Sequence, residues 1–446
     1  MPTLQNLEEL IESKQYIKLR EELVELNAAD IAALLEELPT EELIKIFRLL
    51  PKSVAADTFS YLPIEVEQSL ITSLTDREAG NIMDNLFADD AADLVEEMPA
   101  SVVKRLLINA NPETRRDINH LLKYPEDSAG SIMTVEFVDL KESLTVEEAI
   151  RRIRRVGVDK ETIDTCYVLD TQRKLVGTVS LRRLLLSESE ATIGNIMHDN
   201  VITVTTLTDQ EEVAQDFKKY DFNTMPVVDS ENRLVGIITV DDVVDIIEQE
   251  ATEDIEMMAA ITPTDKPYMK TGVFETWKKR IPWLLLLMIS ATFTGRIIAS
   301  AEDALSAYVI LTSFIPMLMD TGGNSGGQAS VTIIRGLSLN EIEYRDVPKI
   351  VWKEVRVAVL AGVTLAAANF AKMMIIDQVG VSIAFVVCLT LVLTVTVAKV
   401  VGCTLPILAK RIGFDPAVMA SPFITTIVDA VSLLIYFQIA RLLLGI

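Results

Sequence analysis

The segment ALSAYVILTSFIPMLMDTGGNSGGQAS, residues 304–330, passes from an apolar run straight into a carboxylate, two amides and four glycines. The glycines are Gly322, Gly323, Gly326 and Gly327. Small residues let helices pack closely, but they also let backbone carbonyls line a water-filled path. The segment alone is compatible with both uses, and the rest of the sequence is needed to distinguish them.

The segment belongs to a series of apolar blocks that begins near Ile281. Each block has about 17–26 residues, and about 20 residues cross the hydrocarbon of a bilayer as a helix. One buried core helix can have this composition, but five in succession predict an all-α transmembrane domain over residues 277–446. The predicted spans are residues 281–300, 304–320, 351–376, 381–406 and 422–444.

Basic residues are distributed unequally around these spans, with ten on one side and three on the other. An excess of Lys and Arg marks the cytoplasmic side. The sequence therefore predicts a cytoplasmic N-terminus, an outside C-terminus and a glycine-rich segment at the cytoplasmic end of the second span. Lys399 falls inside a span, where it either snorkels toward the cytoplasmic face or faces a cavity.

Almost all of the net charge of −24 belongs to the first 280 residues, which contain 30 Lys and Arg against 55 Asp and Glu. Residues 281–446 contain 11 against 10. Phosphates would repel such an acidic body, so the charge argues against nucleic acid as a partner and favours cations. Acidity also keeps proteins soluble and does not by itself identify a cation site.

Motifs of the common enzyme classes are missing from the sequence. Cys166, Cys388 and Cys403 form no CxxC pair, so neither a zinc site nor a disulfide framework is indicated. No HExxH or GxxxxGK segment occurs, and there are only two histidines. The sequence therefore predicts no enzyme activity.

The N-terminal part contains a 12-residue repeat. Amphipathic pieces such as TEELIKIFRLL separate its marker residues and predict one short helix and one turn per repeat. Such an array stacks as a helical superhelix, predicted here as a domain of residues 1–127. The markers are Leu38, Leu50, Leu62, Leu74, Leu86 and Met98, with prolines directly after four of them.

A second repeat relates residues 128–192 to residues 193–250, since AGSIMTVEFVDL parallels IGNIMHDNVITV. Each copy indicates a helix between short alternating strands. The layout resembles a tandem pair of cystathionine-β-synthase (CBS) domains, α/β modules that often bind adenine nucleotides.

In the CBS family a Gly-h-h-Ser/Thr-x-x-Asp stretch, with h apolar, holds the ribose. The second copy has Gly236, Thr239 and Asp242 at these positions, whereas the first has Arg183 in place of the carboxylate. The resemblance implies an ATP-type nucleotide site in the second copy at Phe222, Pro226 and Thr239. A purely structural pair of modules is the alternative.

Two segments, DDAADLVEE (residues 89–97) and DDVVDIIEQE (residues 241–250), gather carboxylates on one helix face. Like charges at this spacing repel one another, and neither segment contains Lys or Arg, so a cation could supply the missing charge. Helix capping and ordinary solvation explain the same pattern. If the two faces approach each other, a divalent ion could hold them together.

Two carboxylates fall within the apolar blocks, Asp320 and Asp429. The second has hydroxyl groups such as that of Thr425 about one helical turn away. An ionisable group inside a span is costly and is by default a functional candidate. An ion pair between Asp429 and Lys399 is the structural alternative.

The order of a helical repeat domain, two CBS-like modules, an acidic connecting segment and apolar spans resembles the bacterial MgtE-type magnesium transporters. PMLMDTGGNSGGQAS (residues 316–330) and SPFITTIVD (residues 421–429) are the most specific pieces. The resemblance implies a homodimer in the bacterial inner membrane, with a pore lined by the second and fifth spans and with Asp429 as its carboxylate. Further pore-lining candidates are Asp320, Gly322, Gly323, Asn324, Gln328 and Thr425.

The resemblance also implies that intracellular Mg²⁺ binds acidic cytoplasmic positions and closes the pore through a connecting helix within residues 243–276. Mg²⁺ keeps most of its water shell and is held through one or two carboxylates. A doubly charged cation gains about 4.6 kcal/mol per 100 mV of inside-negative potential. The implied sensor residues are Asp89, Asp93, Asp242, Asp245, Glu250, Glu253 and Asp254.

The sequence thus predicts a Mg²⁺-gated, potential-driven channel for Mg²⁺ uptake that other divalent cations could share. A CBS-regulated secondary-active transporter, which would move Mn²⁺ or Co²⁺ or exchange with H⁺ or Na⁺, is the alternative.

Overall fold

The structure is a computed structural model that describes residues 10–11, 13–264, 268–419 and 421–445. The chain divides into two compact units, of which the first ends at Ile247 and the second begins at Glu248. Residues 1–9 of the predicted repeat domain and residues 265–267 of the predicted connecting segment lie outside the described residues.

The first unit opens with short helices, each starting 12 residues after the one before. A proline cannot continue a helix from the preceding turn, so prolines at the N-cap positions separate successive repeats. The helices are α1 (Tyr16–Val24), α2 (Ala28–Glu36), α3 (Thr40–Phe47), α4 (Lys52–Ser60), α5 (Ile64–Ser73), α6 (Asp76–Met83), α7 (Ala88–Glu96), α8 (Ala100–Asn109) and α9 (Pro112–Leu121).

Packing between alternate helices makes this array a superhelix. Helix α2 packs on α4, α4 on α6 and α6 on α8, while α3 packs on α5 and α7 on α9. The marker residues Leu50, Leu62, Leu74 and Met98 are buried in its core. The helical repeat domain predicted from the 12-residue spacing is confirmed.

Two similar α/β modules follow, each with a three-stranded sheet whose first two strands are parallel and whose last two are antiparallel. A helix connects the parallel strands of each sheet: α10 (Val146–Val156) in the first and α13 (Gln210–Tyr220) in the second. Short helices α11 (Leu181–Leu186) and α12 (Ile193–Ile196) lead from one module to the next. The strands are β1 (Asp139–Leu140), β2 (Thr165–Leu169), β3 (Leu175–Ser180), β4 (Val204–Thr205), β5 (Thr224–Val228) and β6 (Leu234–Thr239).

The two modules interlock through the segments that precede their sheets. Thr134 pairs with Ile237 of β6, and a Cβ at the neighbouring Gly236 would lie 2.6 Å from the Thr134 carbonyl oxygen. A Cβ at Gly177 would meet the Met197 sulfur at the same distance. At Gly236 the obstacle is a backbone carbonyl, so packing requires glycine there whether or not a ligand binds; at Gly177 it is the end of a flexible side chain.

Helix α14 (Val240–Met258) follows β6 and continues into the second unit. The connecting helix predicted within residues 243–276 fills only part of that range, because α14 ends at Met258 and, among the described residues, the next helix begins at Val273. Ala260 adopts a left-handed φ of 55° and Pro263 follows. Both features end helices.

The second unit consists mainly of long helices. Within the described residues, four segments are long and apolar enough to cross a membrane: Val273–Ala299, Tyr344–Ile375, Val381–Arg411 and Pro416–Leu444. The predicted count of five spans stays a prediction. The helices of this unit are α15 (Val273–Ala299), α16 (Glu302–Ala307), α17 (Ile315–Ser338), α18 (Val347–Ile375), α19 (Val381–Arg411) and α20 (Ser421–Leu444).

The second predicted span, residues 304–320, is misplaced. Most of its first half forms the short α16 and a 3₁₀ turn over Val309–Phe314, and α17 begins only at Ile315. Pro316 occupies the first turn of α17, where its missing N–H costs no hydrogen bond. The glycine-rich segment is therefore the body of a helix, not the cytoplasmic end of one.

The glycines of α17 allow close packing against α19 and α20. A Cβ at Gly322 would lie 2.7 Å from the Thr394 Cγ2, and the carbonyl oxygen of Gly326 lies directly against Gly402. Gly322 and Gly323, predicted as pore-lining, are buried in these helix contacts. Of the two uses that the sequence left open, packing is the one observed.

Lys399 of α19 is paired within the helix bundle. Its Nζ lies 3.7 Å from an Oε of Glu354 in α18, and the two side chains expose only 7% and 15% of their surface. The alternative in which Lys399 pairs with Asp429 is therefore wrong. The buried ion pair ties α18 to α19.

Removing one member of this pair should destabilise the membrane domain. We expect Glu354→Gln and Lys399→Met each to cost about 3–5 kcal/mol, because each leaves a buried charge without its partner. The double variant with methionine at both positions should recover most of the loss, since an apolar replacement of a buried pair is close to neutral. Thermal unfolding in detergent measures this, and a double variant no more stable than the weaker single variant would contradict it.

Candidate metal sites

Helices α7 and α14, which carry the two acidic segments, meet in the first unit. Ala88 and Ala92 of α7 belong to the same apolar cluster as Val243 and Ile246 of α14. Carboxylates of the two helices are close enough to repel one another, since the charge of Asp242 acts on Asp89, Asp90 and Asp93.

These carboxylates form an acidic cluster with residues from other parts of the first unit. In the part of the chain that the structure describes, no Lys, Arg or His forms an ion pair with any member. The members are Glu67 of α5, Asp89, Asp90 and Asp93 of α7, Glu136 and Glu161 of the first module, and Asp241 and Asp242 of α14.

Crowding in the acidic cluster opposes ionisation. Burial, reinforced by neighbouring negative charges, raises the pKa of Glu67 and of Glu161 to about 8. The same two causes raise the pKa of Asp93 to about 7 and of Asp90 to about 6, although the Asp93 side chain keeps an exposed face. Burial also places the pKa of Asp89 well above its usual range. The protein therefore supplies no positive charge that would allow all of these carboxyl groups to ionise together.

Oxygen ligands without cationic partners suit a hard divalent cation. Among the described residues, no group of three Asp, Glu, His or Cys side chains is placed to hold an ion directly. Mg²⁺ retains several waters and is usually bound through one or two carboxylates. The acidic cluster thus fits hydrated ions held between helices.

The predicted sensor residues fall into three groups. Asp89, Asp93 and Asp242 lie in the acidic cluster. Asp245 is exposed one turn further along α14, still in the first unit. Glu250, Glu253 and Asp254 are half-buried and belong to the second unit.

Five members of the acidic cluster were missed from the sequence: Glu67, Asp90, Glu136, Glu161 and Asp241. Asp90 and Asp241 lie inside the segments DDAADLVEE and DDVVDIIEQE and could have been found there. The three glutamates are distant in sequence and carry no local signal. Tertiary packing alone brings them to α7 and α14.

The end of α14 contacts α17 within the second unit. The Ser338 hydroxyl, at the last turn of α17, donates a 3.0 Å hydrogen bond to Asp254, and Met257 packs against Ile334. Burial raises the pKa of Asp254 and the Asp415 charge adds to this, while the Ser338 hydrogen bond acts in the opposite direction. A predicted sensor residue is thus attached to the helix that carries the glycine-rich segment.

A polar stripe runs along the face of α17 that does not pack in the bundle. Asp320, Asn324 and Gln328 are four residues apart, so they share one helix face, and all three are exposed. A carboxylate and two amides facing hydrocarbon would be costly. The polar stripe is therefore suited to water or to another protein chain.

Asp429 of α20 lies beside the polar stripe. Its half-buried carboxylate is close enough to that of Asp320 for the two charges to repel. Thr425 lies about one turn earlier on the same helix, with its hydroxyl donating to the Pro422 carbonyl at 2.9 Å. The two carboxylates found within the apolar blocks thus come together at one place.

The nucleotide motif of the second module is assembled. The Thr239 hydroxyl donates to Asp242 at 2.6 Å, Pro226 is buried in β5 and Phe222 is half-buried. In the first module, Arg183 instead contacts the His198 ring at 2.6 Å. A guanidinium offers no acceptor to ribose hydroxyls, so ribose recognition of this kind is restricted to the second module.

Family models match most of the chain. The MgtE model, a divalent cation transporter, matches residues 315–439, and the MgtE intracellular N domain matches residues 26–127. The CBS domain model matches residues 129–190 and 193–249. Fold and sites therefore define a divalent-cation transporter with CBS modules.

Curated relatives match along their whole length. The chain is 39% identical to the magnesium transporter MgtE of Thermus thermophilus, over 98% of each chain. It is 34% identical to the magnesium transporter MgtE of Bacillus subtilis, over 92% of this chain and 93% of that relative. The chain belongs to the MgtE family of magnesium transporters, and its long apolar helices support a multi-pass membrane protein.

Solved structures resemble the first part of the chain. The cytosolic domain of the Mg²⁺ channel MgtE, in complex with ATP, is 40% identical with a TM-score of 0.53 and covers 55% of this chain and 100% of its own. The soluble part of a magnesium transporter is 30% identical with a TM-score of 0.54, over 56% of this chain and 98% of its own.

The acidic cluster predicts a pH-dependent stability that Mg²⁺ removes. Raised carboxyl pKa values mean that the folded state holds protons more tightly than the unfolded chain. Without Mg²⁺, the melting temperature should therefore fall as pH rises from about 5 to about 8, across the values given for Asp90, Asp93, Glu67 and Glu161. With Mg²⁺ the slope should flatten, because the ion replaces the protons.

Melting curves of the whole chain in detergent, with and without Mg²⁺, check this. At pH 8 without Mg²⁺, Asp90→Asn should raise the melting temperature. It should also reduce the change in melting temperature that Mg²⁺ causes. Asp30→Asn, which removes one charge from α2 outside the cluster, is the control and should do neither. A slope that Mg²⁺ leaves unchanged would show that the acidic cluster binds no cation.

Proposed function

We propose that the chain forms a Mg²⁺ uptake channel that opens at low and closes at high intracellular Mg²⁺. The observation that carries this proposal is the polar stripe on α17 beside Asp429, among long apolar helices. Fixed carboxylates attract a divalent cation, and amide oxygens can accept hydrogen bonds from its water shell. The membrane potential then drives the ion inward.

The exposed polar stripe calls for a second copy of the chain. In a twofold homodimer the same surface meets itself, so two stripes and two Asp429 side chains would surround one axis. Asn324 and Gln328 would face the water shell of the ion, with Asp320 and Thr425 near Asp429. The pore would thus be lined by α17 and α20, and the excess of basic residues supports a cytoplasmic N-terminus and an outside C-terminus.

The acidic cluster is proposed as the Mg²⁺ sensor. Without bound ions, repulsion between α7 and the start of α14 favours their separation; with bound Mg²⁺ the contact of the two helices is stabilised. Helix α14 is continuous from Val240 to Met258, and its far end contacts α17 through Asp254 and Met257. Binding at one end can therefore shift the population of pore states at the other.

ATP is proposed as a ligand of the second CBS module. The related cytosolic domain was solved with ATP, and the assembled Thr239–Asp242 pair with Phe222 and Pro226 supports a nucleotide site here. Asp242 also belongs to the acidic cluster. Nucleotide and Mg²⁺ binding would therefore be coupled through one carboxylate.

Replacing the pore carboxylate should reduce transport. We expect Asp429→Ala to lower Mg²⁺ uptake about tenfold or more, which corresponds to about 1.4 kcal/mol or more of lost ion stabilisation. The measurement is Mg²⁺ entry into reconstituted vesicles under a K⁺ diffusion potential, without H⁺ or Na⁺ gradients. Asp303→Ala, which removes an exposed carboxylate of α16, is the control and should transport like the parent chain.

Two outcomes would overturn the proposal. Unchanged uptake in Asp429→Ala would remove this residue from the pathway. Uptake that ignores the potential and needs an H⁺ or Na⁺ gradient would favour the secondary-active alternative. Comparing Mg²⁺ with Mn²⁺, Co²⁺ and Ca²⁺ in the same vesicles would measure selectivity.

The dimer axis can be tested by cross-linking. Asn324→Cys on the polar stripe should form a dimer across the pore when treated with a short bifunctional thiol reagent in membranes, since the three native cysteines are buried. Val363→Cys, on an exposed face of α18, is the control and should give no cross-linked dimer. Equal cross-linking at both positions would contradict a specific contact at the stripe.

A further inference from the structure

A cavity in the first CBS module has no role in the proposed transport or regulation. Its volume is about 740 Å³, and it lies between residues 135–143 and the hairpin that joins β2 to β3. The nucleotide motif involves the opposite end of the sheet, where β3 leads into α11. The cavity is therefore separate from the site proposed for ATP.

The cavity combines an apolar floor with cationic walls. Phe137 and Leu169 provide apolar surface, and Lys141, Lys160 and Arg173 provide positive charge. Within the described ranges, none of the three cations forms an ion pair. Unpaired cations around an apolar floor fit an anionic ligand with an apolar part.

Carboxylates at the cavity are mostly engaged elsewhere. Asp139 binds the Arg152 guanidinium at 2.5 Å, and Asp170 accepts the backbone N–H groups of Gln172 and Lys174 at 2.7 and 2.9 Å. Among the described residues, Glu142 is the one lining carboxylate whose side chain has neither an ion-pair nor a hydrogen-bond partner. The charge presented to a ligand is thus positive, although the body around it is strongly acidic.

Arg173 has an unfavourable backbone conformation, with a φ of 66°. The second module has the same hairpin, in which Asp229 accepts the N–H groups of Glu231 and Arg233 as Asp170 does in the first. Its equivalent residue is Asn232, with a φ of 62°. Asparagine tolerates this left-handed region well and arginine does not. Asparagine therefore fits the turn better than arginine. We attribute the presence of arginine at this position to its guanidinium, which lines the cavity.

We propose that this cavity binds a phosphate ester with an apolar or aromatic body, of the size of a nucleoside phosphate. The phosphates would contact Lys141, Lys160 and Arg173, and the body would cover Phe137 and Leu169. A neighbouring cavity of about 460 Å³ shares Lys141 and adds Arg155, so longer phosphate chains could extend into it. None of the residues that line the cavity belongs to the acidic cluster, although Glu136 and Glu161 are their neighbours in sequence.

Calorimetric titration of the full chain in detergent, with Mg²⁺ removed, tests the proposal. ADP, pyrophosphate and adenosine are the probes, and the titrations are made in the parent chain and in Phe222→Ala, which weakens the other nucleotide site. ADP should bind most tightly because it has both the charge and the body. Adenosine that binds as well as ADP would overturn the proposal.

The variant Arg173→Asn distinguishes an effect on ligand binding from an effect on folding. It should raise the melting temperature by roughly one or two degrees, because it relieves the backbone conformation, and it should weaken ADP binding at least fivefold in Phe222→Ala. Lys141→Ala with Lys160→Ala should weaken it similarly. Arg154→Ala, one exposed cation of α10 outside both cavities, is the control. ADP binding unchanged in all of these variants, or lost equally in the control, would overturn the proposal.

Discussion

The first unit depends on one interaction, the repulsion between carboxylates that its fold brings together. Ala88 and Ala92 of α7 are buried in the same apolar cluster as Val243 and Ile246 of α14, and burial of this cluster stabilises the arrangement of the two helices. The same packing brings together acidic side chains that lack basic partners among the described residues. Hydrophobic burial and charge repulsion therefore oppose each other at one interface, and the balance can be shifted by a proton or a divalent ion. A purely apolar interface would be more stable but would not respond to ions.

Helix α17 also combines two different surfaces: one face packs in the helix bundle and the other is polar and exposed. Gly322 and Gly326 allow contact with α19 and α20, whereas Asp320, Asn324 and Gln328 stay outside the bundle. Because a helix turns about 100° per residue, residues that are interleaved in the sequence lie on different faces of the helix. The glycine-rich segment is thus a packing surface and a polar surface at once, which its sequence order alone does not show.

Prediction from the sequence succeeded where the signal was periodic or local. The 12-residue repeat predicted the helical array, the paired glycines and strands predicted two CBS-like modules, and apolar runs predicted long membrane helices. Boundaries were less well predicted. The second span was set too early because residues 304–314 are apolar yet do not continue into α17, and the connecting helix was set too long because Ala260 and Pro263 end it. The partner of Lys399 could not be predicted, since Glu354 is 45 residues away and belongs to another helix.

The sequence by itself determined the order of the domains, the acidic character of the first 280 residues and the family to which the chain belongs, because composition and motif spacing are local properties. Only the tertiary structure decided which carboxylates meet. It added Glu67, Glu136 and Glu161 to the acidic cluster, brought Asp320 to Asp429 and turned the polar stripe away from the bundle. The physical reason is that such sites depend on distances between helices, which packing sets and sequence separation does not.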